Sequence, residues 1–138
     1  MKRLSLLLLP LATACAVPSD APANAAAAPS PPALTGTRWV GVIDAGLDPG
    51  LAPRLEFIAG HLQGFTGCNL MSGSWRVEGN EVRFGAIAAT KRGCMGPGGE
   101  IEKRVLAALG EKSRVRREGA RLVIEAPGGA RFEFSEAK

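Results

Sequence analysis

From Thr37 onward the chain is punctuated by short runs in which apolar and polar side chains alternate, and this pattern restricts its fold more than any other feature. Thr37 to Ile43 is rich in β-branched and aromatic residues, while Arg54-Leu55-Glu56-Phe57, Ser74-Trp75-Arg76-Val77 and Glu81-Val82-Arg83-Phe84 change character at every step. A period of two places successive side chains on opposite faces of a strand. Ala59-Gly60-His61 reads as a hairpin turn into a strand from Leu62 to Thr66, and Glu78-Gly79-Asn80 as the turn into Glu81. Further strands are expected over Ser113 to Arg117, Arg121 to Ala126 and Ala130 to Ser135, joined by Glu118-Gly119 and Pro127-Gly128-Gly129. Asp44 to Pro53, with Gly46, Asp48-Pro49-Gly50 and Pro53, is a loop of turn formers. Short alternating strands with regular turn signals predict an antiparallel sheet that curls into a barrel or sandwich.

A single helix interrupts the strands. Ile101, Val105, Ala108 and Leu109 share one helical face. Glu100 and Glu102 are expected in the first turn, where carboxylates suit the positive end of the helix dipole, and Gly110 is placed to end the helix. The apolar stripe should pack on the sheet and plug part of the core. The expected fold class is therefore α+β: a mostly antiparallel, curled, barrel-like sheet with one packed α-helix.

The N-terminus has a different character. Met1-Lys2-Arg3 is a short basic start, Leu4 to Leu11 is an apolar run, and Ala12-Thr13-Ala14 precedes Cys15. The run is too short to span a bilayer, which takes about 20 apolar residues. A charged start, a short apolar run and small residues before a cut site read as a secretory signal peptide over residues 1–14. The small-small-Cys ending resembles a lipobox, in which Cys15 is acylated and becomes the new N-terminus. That pattern prefers a larger aliphatic residue where Ala12 stands, so ordinary cleavage after Ala14 is the alternative. Ala16 in place of the aspartate associated with inner-membrane retention points to the outer membrane, in a cell that has one.

Residues 15–33 form the next region, the lipid-acceptor cysteine and an Ala/Pro-rich tether. It carries Pro18, Pro22, Pro29, Pro31 and Pro32 and the run Ala25 to Ala28, with almost no large apolar side chain. Such a segment buries too little surface to offset the entropy of ordering. Extended at roughly 3.1 Å per residue, it would lift a domain up to about 50 Å from a membrane. The folded domain is expected over residues 34–138, enough for one core.

Charge argues against nucleic acid as a partner. The chain has 17 Lys and Arg against 13 Asp and Glu, and two of the basic residues, Lys2 and Arg3, belong to the leader. The remaining arginines are scattered and alternate with apolar residues, as in Arg114-Val115-Arg116 and Arg131-Phe132. That spacing puts them on the solvated face of strands, without the clustered excess a nucleic-acid footprint needs. The expected partners are the membrane, through the N-terminal lipid, and an envelope protein or small ligand whose identity the residues do not give.

With Cys15 assigned to the lipid, Cys68 and Cys94 remain. In an oxidising compartment they form either a disulfide or two buried free thiols. A bond between them would close a loop of about 27 residues and contribute roughly 3–4 kcal/mol in the chain-entropy model. A metal site lacks ligands, because His61 is the sole histidine, and no cofactor is implied. A His61–Cys68 pair for nucleophilic catalysis would need a free thiolate in an electropositive setting, and His61 is expected to be a solvated turn residue. The glycine-rich stretch from Lys91 to Gly99 precedes the helix, yet it lacks the Gly-Lys-Ser/Thr ending of a phosphate loop, and Glu100 and Glu102 would repel an anion. Trp39 and Trp75 lie in strand patterns and are expected in the core rather than at a sugar or lipid site. If a partner binds, the loops Asp44 to Pro53 and Lys91 to Gly99 are the candidates, since loops on a rigid scaffold commonly carry function.

These residues together carry a resemblance. Leu34-Thr35-Gly36-Thr37-Arg38-Trp39 resembles the opening L-x-G-x-x-W of the META/HslJ domain family. Gly67-Cys68-Asn69 followed by Gly73 is similar to its GCN…G signature. Phe84 through Thr90 to Cys94 resembles its F…A-x-T-x-x-x-C segment, and Glu102, Val105, Leu106 and Leu109 resemble its helix. Arg92 and Gly93 stand where the family usually has Met-Ala, and Asp44 to Pro53 matches loosely. The resemblance implies a β-rich α+β domain, often exported or membrane-anchored, with members connected to heat shock, antibiotic tolerance, motility or secretion. It implies no established enzymatic activity. The motif residues read as structural: Gly67 can take a positive φ, Cys68 is expected to be buried, and Asn69 is expected to hydrogen-bond its local backbone. The expectation is a non-catalytic envelope lipoprotein with a stress- or antibiotic-tolerance-related binding module. The alternative is a secreted hydrolase with an unrecognised site, although no paired carboxylates, serine triad or metal constellation supports it.

Overall fold

The structure, a computed structural model, describes residues 30–138. The expected leader (1–14), Cys15 and the tether up to Pro29 lie outside the described residues. The order of elements is β1 (Thr37–Gly41), a 3-10 turn (Pro49–Leu51), β2 (Arg54–Ile58), β3 (His61–Phe65), β4 (Leu70–Glu78), β5 (Glu81–Phe84), β6 (Ala88–Ala89), α1 (Pro97–Ala108), β7 (Arg114–Glu118), β8 (Arg121–Glu125) and β9 (Arg131–Glu136).

All pairings are antiparallel, in the order β5-β4-β3-β2-β1-β9-β8-β7, with β6 continuing along β4 beyond β5. The sheet curls until its two ends meet. The Val82 amide donates to the Ser113 carbonyl at 2.8 Å and the Ser113 amide to the Val82 carbonyl at 2.9 Å. The result is the barrel-like α+β fold the alternation predicts. Its interior holds one apolar residue from every second strand position, including Trp39, Leu55, Phe57, Leu62, Phe84, Leu122, Ile124, Phe132 and Phe134. Phe57 meets Trp75 edge to face with ring centroids 5.3 Å apart, a favourable aromatic geometry. Both tryptophans are buried as expected, and their indole N–H groups are paired. Trp75 donates to the Ile58 and His61 carbonyls and Trp39 to the Thr37 hydroxyl.

One end of the barrel is made of the hairpin turns at Ala59-Gly60, Gly79-Asn80 and Gly119-Ala120. Helix α1 lies against the other end. Ile101, Val105 and Ala108 enter the core there, and the helix packs on β9, where the Arg104 guanidinium sits 5.2 Å over the Phe132 ring. Leu51, on the 3-10 turn whose Gly50 amide is held by the Asp48 carboxylate, packs against the same core.

Local details differ from the sequence expectation. α1 begins at Pro97, so Glu100 lies in its first turn and Glu102 in its second. Proline suits a first turn because its missing N–H would have no helical partner there. The helix ends with Leu109 as its cap, and Gly110 does not take a left-handed conformation. Instead the Ser113 hydroxyl accepts from the Gly110 amide at 3.0 Å and donates to the Ala108 carbonyl at 2.8 Å. His61 is the first residue of β3 rather than part of the turn, paired with Ile58 across Ala59-Gly60, and it is exposed. β1 stops at Gly41, two residues before the expected Ile43. A Cβ at Gly41 would stand 2.7 Å from the Pro53 ring.

Candidate functional site

Of the family-motif residues, Gly67, Cys68, Asn69, Thr90 and Cys94 meet at the helix end of the barrel, Trp39 lies within β1, and Gly36 and Gly73 lie towards the hairpin end. Thr66 leaves β3 into the turn Gly67-Cys68-Asn69, and its hydroxyl oxygen accepts from the amides of Cys68 (3.3 Å) and Asn69 (2.9 Å). Gly67 has φ 103°, and a Cβ there would lie 2.7 Å from Ile101 Cγ2, so both conformation and contact with α1 require glycine. Thr66, buried beneath the turn, also hydrogen-bonds the Glu102 carboxylate.

Asn69 was expected to hydrogen-bond its local backbone; Thr66 already serves the backbone of that turn, and the Asn69 amide meets only the Cys68 sulfur there, at 3.2 Å, and otherwise reaches distant partners. Its Nδ2 donates to both Glu102 oxygens, at 3.0 and 3.1 Å, and to the Arg92 carbonyl at 3.3 Å. Its Oδ1 accepts from the Arg92 amide at 2.7 Å and the Thr90 hydroxyl at 2.9 Å. Cys68 and Cys94 are joined by a disulfide, with Cα atoms 5.9 Å apart. The segment before α1 is thus fastened rather than loose. A Cβ on Gly98 would approach the Gly67 carbonyl at 3.0 Å, and one on Gly99 the Cys94 carbonyl at 2.6 Å. Gly73 is equally tight, with a Cβ there 2.5 Å from Ile87 Cδ1. Gly36 takes φ 81° beside Trp39, and its amide bonds the Phe57 carbonyl at 2.7 Å. The motif is a clasp that ties the helix and the 90–96 segment to the barrel end.

This clasp leaves no obvious reactive group. The Cys68 sulfur is bonded to Cys94, and the Glu102 carboxylate is occupied by Thr66 and Asn69. His61 and Cys68 do not meet. His61 opens β3 at the hairpin end, and Cys68 lies beyond the opposite end of the same strand, on the order of 15–20 Å away at about 3.4 Å per residue. Among the described residues, no cluster of His, Cys, Asp and Glu has metal-binding geometry.

A different feature has the form of a binding site: a groove of about 740 Å³ on the outer face of β1 to β4 and β6. Neither candidate loop lines it; Thr90, just before the second, does. Its floor is apolar, with Val40 and Phe65 half-buried and Leu70 65% exposed. Gly64 lets β2 and β3 approach closely beneath it, since a Cβ there would collide with the Arg54 carbonyl. On one side Glu56 accepts from Gln63 Nε2 at 2.8 Å and Arg38 Nε at 3.0 Å, and these two donors, Gln63 foremost, hold its carboxyl below the usual range. The Arg54 guanidinium lies 5.1 Å over the Phe65 ring.

The META domain family model matches residues 32–138. The chain belongs to the META domain family. Its domain is also similar to a solved structure, "NMR structure of the protein from Burkholderia xenovorans", at 26% identity and a TM-score of 0.62, covering 85% of this chain and 97% of that one. A second NMR structure, 18% identical with a TM-score of 0.59, covers 74% of this chain and 90% of its own, and shares the fold. No curated protein matches the chain. The matched segment contains the clasp residues Gly67, Cys68, Asn69, Thr90 and Cys94.

Proposed function

We propose that this META-domain protein is a non-catalytic, membrane-anchored binding module of the cell envelope, held by a lipid on Cys15 and working through the outer groove. Its setting, by family resemblance, is envelope stress or antibiotic tolerance. The observation that carries the binding role is the groove itself, an apolar concavity on the outside of a domain whose inward-facing strand positions already fill a packed core. Contiguous exposed apolar surface of this kind marks interaction sites. The basic, leucine-rich leader followed by Ala12-Thr13-Ala14-Cys15 supports export and acylation, and the Cys68–Cys94 bond fits an oxidising compartment. A secreted hydrolase would need a nucleophile or an acid–base pair, and the motif residues that resemble one are occupied in the clasp.

Site-specific photocrosslinking in intact membranes tests this reading. A photoreactive residue at Ser72, exposed in the groove, should yield a discrete adduct, and one at Lys112, outside it, should not. Identical adducts at both positions, or none at Ser72, would refute the groove as the working surface.

A further inference from the structure

The strand register arranges the groove in two rows. Arg38, Glu56, Gln63 and Ser72 pair across β1 to β4 in one row, and Val40, Arg54, Phe65 and Leu70 in the next. The first row is polar and internally neutralised, because Arg38 is bonded to Glu56 at 3.0 Å. The second is apolar except for Arg54. That residue has no carboxylate within 4.0 Å among the described residues and is stacked on Phe65. A cation without a counter-ion between aliphatic and aromatic side chains is complementary to an anion joined to an apolar body.

The backbone narrows the class further. β1, β2, β3 and β4 each have paired strands on both sides, so the one strand edge left unpaired in the groove is that of β6, two residues long. An extended peptide lying over β1 to β4 would find no main-chain partners of the kind that strand addition supplies, and β6 is too short to supply more than a pair of them. An alkyl chain needs none. The volume of about 740 Å³ falls within the roughly 300–1,000 Å³ typical of small-molecule sites. Resting on the groove as the working surface, we propose that its ligand is a long-chain fatty acid, with the carboxylate on Arg54 and the alkyl chain over Phe65 and Leu70.

The test uses the full chain carrying Cys15→Ser, so that no acyl group of its own competes. A fluorescent long-chain fatty acid is titrated below its micelle concentration and displaced with palmitate. Binding should be saturable at one per chain, and hexadecanol should displace at least about tenfold more weakly than palmitate, since one lost charge-assisted contact is worth about that factor. Arg54→Gln should weaken binding by a similar factor and Leu70→Asp should abolish it. Both residues are exposed, so the urea midpoint of each variant should match that of the parent. Absence of saturable binding, equal displacement by the alcohol, or either folded variant binding like the parent would overturn the proposal. A protein-sized photoadduct at Ser72 together with no fatty-acid binding would leave the binding-module reading standing and remove this one.

Discussion

Asn69 directs most of its amide to partners far away in the sequence, Arg92 and Thr90 on one side and Glu102 on the other, besides a contact from Nδ2 to the neighbouring Cys68 sulfur. Replacing it with alanine strands the Arg92 amide and removes the donor that faces the Glu102 carboxylate. Leaving buried groups unsatisfied costs about 1–3 kcal/mol each, more when one is charged. Asn69→Ala should therefore lower stability by about 2–4 kcal/mol in urea denaturation, with the same denaturant slope; a loss under about 0.5 kcal/mol would show the clasp to be incidental. The motif residues of this site were legible in the sequence, and Gly67 takes the positive φ expected of it and Cys68 is buried, whereas Thr66, read only as the end of a strand, was not. Asn69's partners were not, because a side chain's reach to Glu102 depends on where α1 is docked. The sequence placed Glu102 in the wrong helical turn for that contact.

Elements with a clean period of two were legible almost to the residue. β5 runs from Glu81 to Phe84 as expected, and β2, β7, β8 and β9 shift by a single residue at one or both ends. β4 is longer than its alternation suggests, because exposed Leu70 and tightly packed Gly73 blur the pattern that Ser74 to Val77 shows. β6 carries no pattern at all. It is two alanines held by Met71 and Ser72 of β4. The helix depends on its fastening as well as its apolar stripe, and the Cys68–Cys94 bond spans 26 residues. Replacing both cysteines with alanine should cost roughly 3–4 kcal/mol in the chain-entropy model. In hydrogen exchange, the amides of α1 and the 90–96 segment should lose protection before those of β1, β2 and β9. Uniform loss across the domain would contradict a local clasp.

At the scale of the whole molecule, the fold class followed from alternation and turns, and the family from motifs spread in order along the domain. The groove did not follow from either. Each of its rows takes one residue from each of four strands, and the close approach of β2 at Gly64 is announced by no local pattern. Sequence reasoning looked to loops for a partner site, whereas the groove lies on the sheet.

The account depends on this domain being delivered, through its first residues, to a compartment where it is lipid-anchored and oxidised. The intact mass of the mature protein, taken from cells under non-reducing conditions, tests that directly. It should correspond to a chain beginning at Cys15, carrying added acyl groups and lacking the two hydrogens lost in joining Cys68 to Cys94. A mass that includes residues 1–14, with no added acyl group and with three free thiols, would contradict it.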